Sequence, residues 1–424
     1  MSVMLRWIKS LDVRSPEQMV CAVMVAAWAV GLGLILSHPI FVTNDSLSNY
    51  AHVWYASEVF WDGAGIPFRF PEIGHGDALA FPYGFLPWFS AALVRPVLGD
   101  WATTLWLVLG ALGVLGGTLW AFHELRKPLP ATFLLVNPLM VESVFLGQLP
   151  FLWAMALLFF GIGCWRKGWT WRAVLLVGLA QAGHPAVVLP LAGLLFVGRF
   201  PFEADKRRYL LSYLATLAVA APAVWLVLIS PVVEDSSTGS LLANFAGTVS
   251  LRAGVLAAPF IALWLVRGGR PEWVWSAVAA ALVLNVALIP IRDTGYGWGA
   301  LTRDPNVELV PFLESADFHP GATYRLLRVA DGKVGMYQLI QHGGRLDSEF
   351  FPESINRRSW SSPDAYRQFI RGRKVEYVLI YRAYDVRYAT NEHDLLDQMV
   401  RGRCAERTTP SDQFDVYHLT GSCP

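Results

Sequence analysis

Charge is scarce in this chain. Of 424 residues only 16% are Asp, Glu, Lys or Arg, while 54% are hydrophobic; a soluble protein carries about 25% charged residues. The formal net charge of +1 says nothing about nucleic acid, which is not expected as a partner. Cysteine is scarce too, with four in all. Cys21 and Cys164 fall in apolar runs and act as small hydrophobes. Cys404 and Cys423 fall in a polar tail, where they form a disulfide if the tail is outside the cytoplasm and stay free surface thiols otherwise. Common catalytic signatures are missing: no P-loop, no GxSxG, no HExxH and no Cys/His zinc spacing. The run "GIGCWRKG" lies in an apolar hairpin and is no nucleotide fingerprint, so neither ATP hydrolysis nor a Rossmann cofactor is indicated.

What the chain has instead is long apolar runs. They fall at about 18–37, 83–98, 101–122, 131–146, 149–165, 172–198, 208–231, 249–266 and 271–291. Residues 292–424 have ordinary soluble composition. The expected architecture is an α-helical polytopic membrane part over 1–291, with a C-terminal soluble α/β domain over 292–424. Arg6, Lys9 and Arg14 precede the first run, which is span-length and lacks a small-x-small cleavage site. It reads as an uncleaved signal anchor.

Basic residues set the topology, because they collect at cytoplasmic ends. The clusters are Arg6/Lys9/Arg14, Arg126/Lys127, Arg166/Lys167/Arg172, Arg199/Lys206/Arg207/Arg208 and Arg267/Arg270. With all of them inside, only one of 83–98 and 101–122 crosses. The first, reading FPYGFLPWFSAALVRP with three prolines and Arg95, is taken as an interfacial helix, which makes 38–100 a large first external loop. Residues 130–165 become a hairpin turning at "GQLP" (147–150), and 172–198 another turning at "AGHP" (182–185). About 27 residues cannot make two full spans of roughly 20 each. The second hairpin is therefore two short helices meeting below the outer surface, or else one tilted span with a proline kink. The count is about nine transmembrane helices plus interfacial ones. The N-terminus is cytoplasmic and the C-terminal domain extracytoplasmic, in a plasma (inner) membrane.

On this map polar residues gather on the external side. Asp45 ends the first span in "TNDSLSNY". Glu72, His75 and Asp77 lie in "PEIGHGDALAFPYG", and Tyr83 begins the interfacial stretch "YGFLPW". Glu142 and Gln148 flank the first bend, His184 caps the second, and Arg252 opens a later span. A charge at membrane depth costs about 2.5–3.5 kcal/mol or more, which makes each a functional candidate. Each has a structural alternative: Asp45 as a helix N-cap, Glu142 and Gln148 as internal hydrogen bonders, His184 as a turn residue, His75 and Asp77 as loop surface, and Arg252 as a snorkelling cation. After Asp45, Leu47, Tyr50, Ala51 and Trp54 share one helix face, which suits a helix lying in the interface with aromatics at headgroup level.

Together these stretches resemble the GT-C superfamily of polytopic glycosyltransferases, which use polyprenyl-phosphate-linked sugars. The resemblance rests on the acidic residue after the first span, on the large first loop ending in "FPYGFLPW", and on "NPLMVESVFLGQLPFLWAMALLFF" followed by "GLAQAGHPAVVLPLAGLLF". The last run looks most like the mannose- and arabinose-transferring branch. The likeness covers roughly 18–291 and implies a GT-C-like fold. It implies a polyprenyl-phosphate sugar donor, a lipid-linked or cell-envelope glycan (or glycolipid) acceptor, and Asp45 as the general base of an inverting transfer. Many relatives have an acidic pair where this chain has Asn44–Asp45, and basic residues near a lipid phosphate are sparse. Arg252 and Arg292 are the best available, with Arg69 or Arg95 as further candidates. No cofactor is required; Glu72, His75 and Asp77 leave a divalent cation open without diagnostic spacing. A transporter or flippase of a lipid-linked substrate, or an inactive assembly partner of the same fold, are the rival readings. The two halves show no clear internal repeat, which weakens the first of these.

In the tail, "TYRLLRVA", "VGMYQLI", "EYVLIYRAY" and "FDVYHLT" read as strands. "SPDAYRQFIRGR" and "NEHDLLDQMVRGR" read as helices, the second capped by Asn391. "LDSEFFPESINRRSW" reads as a long loop that could overhang the membrane pocket.

Overall fold

The computed structural model describes residues 15–41, 43, 46–74, 79–80, 85–228, 238–268, 271–292, 309–327, 332–347, 359–382, 390–410 and 412–420; in 238–252 and 287–292 only the backbone path is described. The chain is mostly helical. Its first helix, α1 (Pro16–Ile35), opens with a capping box in which Ser15 and Gln18 satisfy each other's backbone N–H groups. The first loop holds α2 (Ser46–Trp61), a two-stranded hairpin β1 (Arg69–Phe70) and β2 (Leu79–Ala80), α3 (Phe85–Ala92) and the short α4 (Arg95–Leu98). The bundle continues with α5 (Trp101–Ala121), α6 (Pro128–Leu135), α7 (Pro138–Phe145), α8 (Leu149–Arg166), α9 (Thr170–Gly183), α10 (Pro185–Arg199), α11 (Lys206–Leu228), α12 (Thr238–Arg267) and α13 (Pro271–Arg292). Among the described residues five helices are long and apolar enough to cross a membrane, or six if the bent pair α6–α7 is one span. Shorter apolar stretches, Ala253–Arg267 and Glu272–Val286, lie in α12 and α13. This is an integral membrane protein.

Helices α5 and α8 run parallel in close contact because glycines remove side chains from their interface. A Cβ on Gly113 would lie 2.9 Å from the Ala156 Cβ, and one on Gly163 would lie 2.3 Å from the Trp120 ring. Lipid offers no hydrophobic drive for helix pairing, so close approach of small residues supplies it. Both helices therefore end together, where Arg166 donates to the Ala121 carbonyl at 2.6 Å.

The α6–α7 pair bends by 43°. Pro138 cannot donate a backbone hydrogen bond, which leaves carbonyls of the preceding turn without helical partners. Neighbouring helices satisfy them: the Trp28 indole donates to Leu135 O at 2.8 Å and the Asn285 amide to Val136 O at 3.1 Å. Asn137 caps the second half by accepting from Leu139 N. A break inside an apolar bundle persists only with such partners.

Helices α9 and α10 form a hairpin. Thr170, at the start of one, hydrogen-bonds Arg208, and Phe196, near the end of the other, stacks on Tyr209 at 4.9 Å. Both outer ends thus meet the start of α11, and the bend falls at His184 at the opposite end.

The tail adds α14 (Val310–Leu313), β3 (Thr323–Leu327), α15 (Gly332–Gln341), β4 (Arg345–Leu346), α16 (Pro363–Gly372), β5 (Tyr377–Tyr381), α17 (Glu392–Arg401), β6 (Ala405–Thr408) and β7 (Phe414–Leu419). Its five strands are ordered β4-β3-β5-β7-β6, parallel between β3 and both neighbours and antiparallel beyond. Two expectations need correcting here. "VGMYQLI" is the helix α15, not a strand: it is the crossover that parallel β3 and β4 require, and a short apolar run does not reveal its own period. Asn391 does not cap α17 through its side chain, which instead clamps Trp360, accepting from its N at 2.8 Å and donating to its O at 2.7 Å. Ser362 does cap α16, accepting from Ala365 N. Cys404 is disulfide-bonded; Cys423 lies outside the described residues. The loop after Asp347 lies largely outside them too.

Candidate active site

The chain leaving α1 is held by two hydroxyls. Tyr50 OH accepts from Phe41 N at 2.8 Å and shares a 2.7 Å hydrogen bond with Thr104, which donates to Pro39 O. Thr43 N then donates to Ser46 Oγ at 2.8 Å, closing a tight turn at the start of α2. Asn44 and Asp45, between them in sequence, lie outside the described residues; Thr43 and Ser46 are both buried.

These two residues sit on the first bend. Gly147 has φ 73°, and a Cβ there would lie 2.7 Å from the Ser46 Cβ and 3.0 Å from Thr43 Oγ1. Glycine is required twice over, for the left-handed backbone and for the close approach. One helical turn on, Asn49 donates to Gly147 O at 2.7 Å and accepts from the Trp88 indole at 2.8 Å. The buried amide thus joins α2 and α3 of the first loop to the GQLP turn.

The next turn of α2 carries His52. Its Nδ1 is 2.6 Å from Ser48 O, so Nδ1 bears the proton and Nε2 the lone pair. The ring stacks on Trp88 at 4.0 Å and meets the edge of Phe70 at 5.4 Å. Desolvation, against the Ser48 hydrogen bond, pushes the imidazole down to about 4, so it stays neutral near pH 7.

Of the expected site residues, Gln148 and Glu142 flank the Gly147 bend; Glu142 is buried and Gln148 half-buried. His184 is 4% exposed at the second bend, edge-on to Phe151 at 6.0 Å. A Cβ on the preceding Gly183 would lie 3.7 Å from Pro87 of α3, so both bends and the first loop meet at one end of the bundle. Glu72 lies further along the loop, under the tail, where its carbonyl accepts from Leu346 N at 2.7 Å. Burial pushes its carboxyl up, against a backbone hydrogen bond and Arg345. Burial, with Glu72 second, raises the Tyr55 phenol to about 12. His75, Asp77 and Tyr83 lie outside the described residues, as do the side chains of Arg252 in α12 and Arg292 in α13. Among the described residues no three His, Cys, Asp or Glu side chains are grouped to hold a metal ion.

Two sequence readings are revised. The α2 face with Leu47, Tyr50 and Ala51 is not spread on the interface; it is buried in protein, with Tyr50 6.2 Å from Tyr337 of α15. Arg95 is no ready phosphate ligand, because it pairs with Glu58 at 2.9 Å and Asp100 at 3.6 Å. Asp100 also accepts from Tyr337 OH at 2.6 Å, which ties the tail to the first loop. Asn49 and His52 were not among the residues singled out from the sequence. The signal was present: they follow Asp45 by four and seven residues, one face of a helix.

An apolar cavity of about 470 Å³ lies beside this end, between α1, α7 and α13, lined by Trp28, Ile35, Val144, Phe145 and Leu282 among others. No protein-family model and no curated protein matches the chain by sequence. Two solved structures match along nearly all of its length, both of ArnT from Cupriavidus metallidurans. The apo state gives a TM-score of 0.51 at 12% identity, covering 95% of this chain and 98% of ArnT. The form bound to undecaprenyl phosphate gives 0.48 at 14% identity, covering 96% and 98%. ArnT is a GT-C glycosyltransferase, and this chain shares its fold.

Proposed function

We propose that the chain is an integral-membrane glycosyltransferase that moves a sugar from a polyprenyl-phosphate donor to a lipid-linked or cell-envelope glycan acceptor. The observation that carries this reading is the seating of Thr43 and Ser46, the neighbours of Asp45, on the Gly147 bend. The shared fold with apo ArnT supports the reaction class, and ArnT itself has been crystallised with undecaprenyl phosphate.

In the proposed reaction Asp45 takes the proton of an acceptor hydroxyl as its oxygen attacks the anomeric carbon. The bond from that carbon to the phosphate oxygen breaks, and the polyprenyl phosphate leaves with the electron pair. Direct displacement inverts the anomeric centre and needs one base only. Arg252, Arg292 and His184 are assigned to the growing phosphate charge. The apolar cavity between α1, α7 and α13 takes the near end of the polyprenyl tail. Under this reading the first loop and the tail domain are extracytoplasmic.

The test is transfer by full-length protein in membranes supplied with labelled polyprenyl-phosphate sugars. Transfer by wild type that is lost in Asp45→Asn, at unchanged thermal stability, is the expected result. Equal transfer by the variant removes Asp45 from the mechanism, and no transfer by wild type with any donor favours transport or an assembly role.

A further inference from the structure

The opposite end of the bundle holds a second cavity that the proposed transfer does not use. Its volume is about 810 Å³, within the roughly 300–1,000 Å³ of ligand pockets. Five helices line it, and three of them, α8, α10 and α12, do so by one rule. Ile162 and Arg166 on α8, Leu195 and Arg199 on α10, and Leu263 and Arg267 on α12 all line it, each arginine four residues beyond its apolar partner. Residues four apart stack on one helix face. The lining therefore changes from hydrocarbon to guanidinium over one turn, on three sides at once.

Arginine in the last turn of a helix is favoured by the helix dipole alone. That accounts neither for the cavity nor for its charge balance. Glu124 and Glu203 also line the space; Arg166 pairs with Glu124 at 3.4 Å and Arg199 with Glu203 at 2.8 Å. Arg267 makes no ion pair among the described residues, although its charge also acts on Glu124, so three arginines face two carboxylates. One positive charge is left at the mouth of an apolar cavity, and a phosphodiester carries one negative charge.

We infer that this cavity binds a single anionic phospholipid, with its phosphodiester at Arg267 and acyl chain against Ile162, Leu195 and Leu263. Basic pockets between membrane helices on the side of the Lys/Arg clusters are suited to such headgroups. The inference is independent of the transfer reaction.

The experiment uses full-length protein in neutral detergent, with phosphatidylglycerol retention read by native mass spectrometry and thermal unfolding read alongside. Wild type is expected to retain one phosphatidylglycerol and to gain several degrees in Tm. Arg267→Gln should cut retention at least fivefold, whereas Lys127→Gln, an exposed charge at the same end but outside the cavity, should not change it. Leu263→Phe keeps every charge and fills the apolar part, and should also cut retention. Equal losses in Arg267→Gln and Lys127→Gln, or wild-type retention in Leu263→Phe, overturn the site. The same gain in Tm from inorganic phosphate overturns the lipid as its occupant.

Discussion

The two ends of the helix bundle are held together by different chemistry. Around Gly147 the contacts are uncharged: Asn49 to Gly147 O, Trp88 to Asn49, Tyr50 to Thr104. Around Arg166 they are ionic or cation–π: Arg166 to Glu124, Arg199 to Glu203, Lys167 over the Trp120 ring at 4.0 Å, Arg172 over Trp169 at 4.8 Å. Buried uncharged bonds fix positions, because breaking one strands a desolvated partner at about 1–3 kcal/mol. Exposed ion pairs are worth about 0–1 kcal/mol and tolerate movement. Under the proposed function the first end is the reaction site and the second an anchor at a charged surface.

The sharpest way to break this contrast is one substitution at each end. Asp45→Asn is expected to lower transfer by at least about 100-fold, the usual scale of a general base, while Arg166→Gln changes it by no more than about twofold. Comparable losses in membrane assays would mean the ends do not differ in role.

A matched glycine pair comes next. Gly147 and Gly168 have nearly the same left-handed backbone, φ 73° and 74°, but a Cβ on Gly147 meets Ser46 at 2.7 Å and one on Gly168 meets nothing within 4 Å. Gly168→Ala should cost only the backbone penalty, about 1–2 kcal/mol. Gly147→Ala should cost that plus the displacement of α2, about 1–3 kcal/mol more, and slow transfer. Thermal unfolding of both variants checks it; equal shifts would mean the contact is slack.

The pH dependence separates the ends again. His52 has a folded pKa of about 4, below the unfolded value of 6.5. Its contribution is complete above pH 6.5, falls as pH drops toward 4, and reaches about 3 kcal/mol of lost stability below that. His52→Gln should flatten unfolding profiles between pH 4 and 6.5. A variant as acid-sensitive as wild type would show that His52 is not the sensor. The smallest expected effect is Tyr337→Phe, which removes the bond to the Asp100 carboxylate and should cost about 1.5–3 kcal/mol, read as a fall in Tm.

Much of the helical layout was legible from arginine and lysine positions, because they mark helix ends. Arg172 and Arg199, bracketing a run too short for two spans, leave the α9–α10 hairpin or one tilted span open, and the structure has the hairpin with its bend at His184. The packing was not legible. Tyr50 reads as an interfacial aromatic, and only its contacts with Phe41, Thr104 and Tyr337 show it to be a buried clamp. Asn49 has no local signature, since its partners are 39 and 98 residues away. In the tail, "VGMYQLI" misleads because so short an apolar run, broken only by Gln338, carries no clear period; the parallel pairing of β3 and β4 makes it a helix.

The central claim is that the first loop, both bends and the tail face one aqueous compartment, across the bilayer from the arginine clusters. Thiol labelling of intact cells with an impermeant reagent tests it directly, using Asp62→Cys in the loop, Arg371→Cys in the tail and Lys127→Cys at the other end, all exposed positions. Asp62→Cys and Arg371→Cys should label from outside, and Lys127→Cys only after permeabilisation. Labelling of Lys127→Cys together with either of the others would contradict the account.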